Sequence, residues 1–132
     1  MKKRGLTIVE CTLALAITAA ATALFAQILV AASAQRRVAE QRRIALVEVA
    51  NALEKTSLLT WDEITHERLE QLPLSAAAAI LPEAELAAIV SDEPGPPRGR
   101  RIRLELSWTN AAGERQPPVA LVRWRFAKEE SP

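Results

Sequence analysis

Hydrophobic and polar positions divide this chain into three regimes. From Cys11 to Gln35 there are 25 consecutive positions without a charge, mostly Ala, Leu, Ile and Val. A helix rises ~1.5 Å per residue and a bilayer core is ~30 Å thick, so about 20 such residues suffice to cross it. Polar residues then return at helical spacing. Leu46, Val49, Ala50 and Leu53 form an apolar stripe, with Arg42, Arg43, Glu48 and Glu54 as polar positions. No proline or glycine lies between Gly5 and Pro73. The pattern predicts one helix from Leu6 to about Ser57, ~75–80 Å long, with its first half apolar enough to be buried in lipid.

The third regime ends in a period of two. Thr60-Trp61-Asp62-Glu63 has the form of a capping box. It predicts a short helix to about Leu72, with Trp61, Ile64, Leu69 and Leu72 apolar and Pro73 as the stop. Ser75 to Pro82 reads as a helical turn or a loop. Glu85 to Val90 reads as a strand, followed by a loop rich in proline and glycine. In RIRLELSW, Ile102, Leu104, Leu106 and Trp108 share one face; in VALVRWRF, Ala120, Val122, Trp124 and Phe126 do. Asn110 and Gly113 supply turn chemistry between the two runs. The expectation is an antiparallel hairpin within a three- or four-stranded sheet. Its apolar face would cover Leu46, Val49 and Leu53, with Trp108 and Trp124 as the large packing residues. Arg101, Arg103, Arg123 and Arg125 would then share a solvent face, open to an acidic neighbour. The fold class is α+β, a long N-terminal helix packed on a small antiparallel sheet.

Charge and chemistry narrow the function. Lys and Arg number 17 against 16 Asp and Glu, which gives no general electrostatic claim on nucleic acid. Cys11 is the one cysteine and lies in the apolar run, so no intrachain disulfide can form. His66, the one histidine, stands among Glu63, Glu67 and Glu70 and reads as a solvated helix-surface residue. There is no HExxH, no CxxC, no phosphate-cradling glycine loop and no Ser-His-Asp set. The expectation is a protein that is not an enzyme and needs neither cofactor nor metal.

The N-terminus carries the most specific signal. Lys2, Lys3 and Arg4 precede the apolar run, the outline of a membrane-targeting segment. One reading is a secretory signal cleaved after Ala34, within Ala32-Ser33-Ala34, that releases a secreted binding domain. A second is a plain single-pass anchor. Neither explains Glu10 at the threshold of the run. The stretch Gly5-Leu6-Thr7-Ile8-Val9-Glu10 behind a basic leader resembles the signal of type IV pilins and type II secretion pseudopilins. That resemblance covers roughly the first 35 residues. It implies that a prepilin peptidase cuts between Gly5 and Leu6 and N-methylates Leu6, and that Glu10 is the assembly acid at the fifth position of the processed chain. Leu6 stands where phenylalanine or methionine is commoner.

On this reading residues 1–5 are a leader, 6–35 the transmembrane and assembly half of the helix, 36–58 its extramembrane half, and 59–132 a small soluble domain. The resemblance implies a bacterial inner-membrane, single-pass protein with its domain in the periplasm and other pseudopilins or pilins as partners. Small size, the absence of a disulfide and the absence of a mid-helix proline look most like a minor pseudopilin, closest to the small I-type subunit of type II secretion. A PilV-like minor pilin of a type IV pilus is the near rival.

Overall fold

The structure is a computed structural model that describes residues 7–95 and 97–127. The chain divides into two compact units, Met1–Ala39 and Glu40–Pro132. Helix α1 (Ile8–Lys55) is followed by a 3-10 turn, Thr56–Leu58. A short helix α2 (His66–Glu70) and a second 3-10 turn, Ala76–Ile80, lead into β1 (Glu85–Glu93), β2 (Gly99–Ser107) and β3 (Val119–Phe126). The strands form one antiparallel sheet in the order β1-β2-β3. A long apolar N-terminal helix with a small antiparallel sheet packed on it is a pilin-like, α+β architecture.

Within the second unit the sheet covers one stripe of α1. Ile44, Ala45, Glu48, Val49, Ala52 and Leu53 are buried there, at the three-and-four spacing that puts residues on one helical face. Ile102, Leu104 and Leu106 of β2 are fully buried against them, together with Ile64, Leu69 and Trp108. Leu46, expected in this stripe, is 41 % exposed. It follows Ala45 by one position, which is ~100° around the helix and off the packed face. Glu48, expected among the surface polar positions, is 3 % exposed. Its carboxylate accepts hydrogen bonds from the Ser75 N–H (2.9 Å) and the Ser75 hydroxyl, so the buried charge is answered by donors rather than left alone.

The strand β3 turns the other way from the expectation. Its register places Arg123 opposite Ile102, Leu121 opposite Leu104 and Val119 opposite Leu106. Arg123 and Arg125 therefore lie on the helix side, and Trp124 (47 % exposed), Val122 and Phe126 lie on the outer face. The arginines add donors to carbonyls at the end of α1 and in the turn that follows it. Arg123 Nη1 donates to the Leu53 carbonyl (3.1 Å), and Arg125 Nη1 to those of Thr56 (3.0 Å) and Leu59 (2.6 Å). The four arginines thus do not share a face. Arg101 and Arg103 stay on the outer one, Arg103 bonded to Glu105 at 2.5 Å.

The connecting segment also differs in detail. Thr60 and Glu63 do hydrogen-bond, through the Thr60 N–H (2.7 Å) and hydroxyl (2.8 Å). The chain nevertheless makes only a turn there, and α2 begins after Thr65, whose hydroxyl accepts from the Arg68 N–H. Arg100 holds this turn to the sheet. Its Nη1 donates to the Trp61 (2.7 Å) and Ile64 (3.1 Å) carbonyls, its Nε to Asp92 (2.5 Å), and it stacks 4.5 Å from the Trp61 ring centroid. Between β2 and β3, Asn110 Oδ1 accepts from the N–H groups of Ala112 and Glu114, and Gly113 takes φ +79°, which glycine adopts without a Cβ clash.

Hydrogen bonds from Arg100 hold the Asp92 carboxyl below the usual carboxylate range, and those from Thr60 do the same for Glu63. A carboxyl depressed in the folded state adds stability above its unfolded value, about 4, and loses it as pH falls through the lower folded value. All three tryptophans lie in the second unit, so their fluorescence reads its melting. The melting temperature of the full chain in detergent is expected to hold from neutrality to about pH 5 and to drop below about pH 4. The drop should be shallower in Asp92→Asn.

Candidate functional site

The segment that carries the candidate signal begins with a capping box of its own. The Thr7 N–H (2.8 Å) and hydroxyl (3.0 Å) donate to Glu10 Oε2, and the Glu10 N–H donates to the Thr7 hydroxyl (3.3 Å). Thr7 is thus the N-cap and Glu10 the reciprocal acid three residues on, so two of the unsatisfied N–H groups at the helix start are engaged. This geometry folds the Glu10 carboxylate back onto Thr7, away from the apolar run behind it. A negative charge here also faces the positive end of the helix dipole. The Thr-x-x-Glu spacing was present in the sequence at Thr7, as it was at Thr60.

Behind Glu10 the helix is suited to a medium without water. Thr12 donates to the Val9 carbonyl (2.9 Å), Thr18 to Ala14 (2.8 Å), Thr22 to Thr18 (2.7 Å) and Ser33 to Val30 (2.8 Å). Each hydroxyl satisfies its proton within its own helix, so it costs little in hydrocarbon. One helix in the described chain, Ile8–Leu58, is long and apolar enough to cross a membrane, and its most apolar window is unburied. Thr12, Ala16, Ala19, Ala23 and Ala26 line shallow apolar grooves along one side. Small residues at this spacing let helix backbones approach closely in lipid. Cys11 is exposed at the start of the same segment.

Lys2, Lys3, Arg4, Gly5 and Leu6 lie outside the described residues. Of the packing residues, Val49, Leu53 and Trp108 are buried together in the core, whereas Leu46 and Trp124 are not. Among the described residues no three His, Cys, Asp or Glu side chains gather as metal ligands. His66 is exposed, 3.7 Å from Glu67.

Comparison of the chain with protein-family models, curated proteins and solved structures finds no match. The reading of function therefore rests on these residues. Glu48, Ser75 and Arg100 were missed by sequence reasoning. Their hydrogen bonds join positions 27 and 39 residues apart, such as Glu48 to Ser75 and Trp61 to Arg100, and no local pattern encodes such pairs.

Proposed function

We propose that this chain is a minor pseudopilin: a structural subunit that inserts through α1, is trimmed after Gly5 by a prepilin peptidase, and joins a short type II secretion pseudopilus or its tip. It performs no catalysis of its own and requires neither cofactor nor metal. Its partners are other pseudopilins, and its sheet domain lies in the periplasm of a bacterium.

One observation carries this reading. An acid, Glu10, stands five residues after Gly5 at the head of an apolar helix that runs unbroken to Lys55. A carboxylate at mid-membrane costs ~2.5–3.5 kcal/mol on insertion scales. Cleavage between Gly5 and Leu6 would create a positive amine one residue before Thr7, whose N–H and hydroxyl hold the Glu10 carboxylate. An ion pair between that amine and Glu10, in the same subunit or its neighbour, offsets the cost only when it forms. A buried pair is expensive to leave broken, so pairing between subunits favours a registered filament over free diffusion in the bilayer.

The N-terminus of the mature chain tests the proposal directly. Mass spectrometry of the first peptide from the native host should return N-methylated Leu6. A chain beginning at Gln35 would make the apolar run a discarded signal and overturn the proposal.

A further inference from the structure

We propose that the outer edge of β3 receives an extended acidic segment of a partner protein, which adds to the sheet as a fourth strand. The inference rests on the edge itself and is independent of the filament reading.

The two edges of the sheet are treated differently. The Ala127 N–H donates to the Arg98 carbonyl at 2.9 Å, which sets the alternation along the β2–β3 ladder. Val119, Leu121, Arg123 and Arg125 accordingly turn their backbone groups to β2, and Ala120, Val122, Trp124 and Phe126 turn theirs outward. No described residue pairs with these outward N–H and C=O groups. At the opposite edge, the outward Ala88 N–H donates to Glu70 of α2 at 3.4 Å. Exposed edges are commonly blunted by a lysine, an internal proline or a bulge. Here VALVRWRF lacks lysine and proline and its register runs without interruption from Val119 to Phe126, while its two charges, Arg123 and Arg125, point to the helix side.

The side chains beside this edge define what it would take. Val122 (48 % exposed), Trp124 and Phe126 (58 %) are apolar on the outer face, and Arg101 lies 6.0 Å from the Trp124 ring centroid. A cleft of ≈ 380 Å³ at this edge is lined from both faces, by Thr56, Ser57, Arg123 and Arg125 and by Trp124 and Phe126. Arg123 donates to the Leu53 carbonyl of α1 and Arg125 to the Thr56 and Leu59 carbonyls beyond it, each through Nη1 only, which leaves further N–H groups for a carboxylate. No acid occurs in β3. An incoming strand would meet arginines two residues apart on one face and apolar side chains on the other, so it would alternate Asp or Glu with Val, Ile or Phe. A second copy of this chain fits poorly in the register centred at Trp124, where antiparallel β3 on β3 would set Arg123 against Arg125, and nothing acidic in β3 answers the arginines in any other.

The test uses the full chain in detergent micelles and two fluorescent eight-residue peptides, one alternating Glu with Val and one alternating Lys with Val, matching the eight residues of β3. The Glu peptide should bind saturably and more weakly as salt is added, and the Lys peptide should not. Val122→Pro removes an outward N–H and spares the β2 ladder; it should weaken binding about tenfold or more. Hydrogen exchange on the unmutated chain gives a second readout. On addition of the Glu peptide the amides of Ala120, Val122, Trp124 and Phe126 should slow, and those of Leu121, Arg123 and Arg125 should not change. Three results would overturn the proposal: equal binding of the two peptides or binding of neither, unaltered exchange at the outward amides, or self-association through β3 in the absence of peptide.

Discussion

Glutamate in place of Gly5 is expected to leave the chain at full length in a host that otherwise trims it. On the proposed reading the cut falls between Gly5 and Leu6, and a side chain at position 5 must enter the peptidase where glycine presents none. A charged side chain of Glu's length adds both bulk and a desolvation cost at the scissile bond. The expected effect is close to complete: a chain five residues longer, without N-methylation, resolved by mass spectrometry of the first peptide. Insertion should survive, because the apolar run from Cys11 to Gln35 is unchanged. Glu10→Val should behave in the complementary way, inserted and trimmed but poorly assembled. Recovery of normally shortened protein from Gly5→Glu would remove the basis of the proposal, and unchanged assembly in Glu10→Val would remove only the amine-pairing step.

Replacing the two sheet tryptophans separately is expected to give very unequal losses of stability. Trp108 is 3 % exposed among Leu53, Ile64 and Leu106 in the core. Truncation of a buried tryptophan to alanine costs ~3–5 kcal/mol, from lost burial and the cavity left behind. Its Nε1 has no hydrogen-bond partner among the described residues, which argues for the lower part of that range, because the mutation also removes an unsatisfied polar group. Trp124 is 47 % exposed, with Arg101 6.0 Å from its ring centroid. Its loss should cost about 1 kcal/mol or less, of the order of an exposed cation–π contact. Denaturant unfolding of the full chain in detergent, followed by the remaining tryptophans, measures both. Equal losses would mean that β3 presents the opposite face to the helix.

That contrast marks where sequence reasoning stopped. Strand β2 reads correctly because Ile102, Leu104, Leu106 and Trp108 alternate with Arg101, Arg103, Glu105 and Ser107, leaving one apolar face. In β3 both faces hold apolar residues, Val119 and Leu121 on one and Ala120, Val122, Trp124 and Phe126 on the other. Period-two counting chooses the richer face. A shift of one residue in register exchanges every side chain between faces, and the winner is decided by what each face would touch. Here the end of α1 and the turn after it offer carbonyls that accept from arginine. Arg123 and Arg125 reach them only from the helix side.

The sequence by itself determined the elements whose signal is local: an uncharged run long enough to span a bilayer, a proline- and glycine-free helix beyond it, and a β2–β3 hairpin turning at Asn110 and Gly113. It also carried the Gly5 to Glu10 motif, since spacing along one helix end needs no distant partner. Only the tertiary structure decided which face of β3 is inside, that Leu46 lies off the packed stripe, that Glu48 is buried against Ser75, and that Arg100 anchors the Trp61 turn. The physical reason is the same in each case. Those outcomes depend on hydrogen-bond partners and packing surfaces tens of residues away, which compete with the local hydrophobic pattern and at these positions outweigh it.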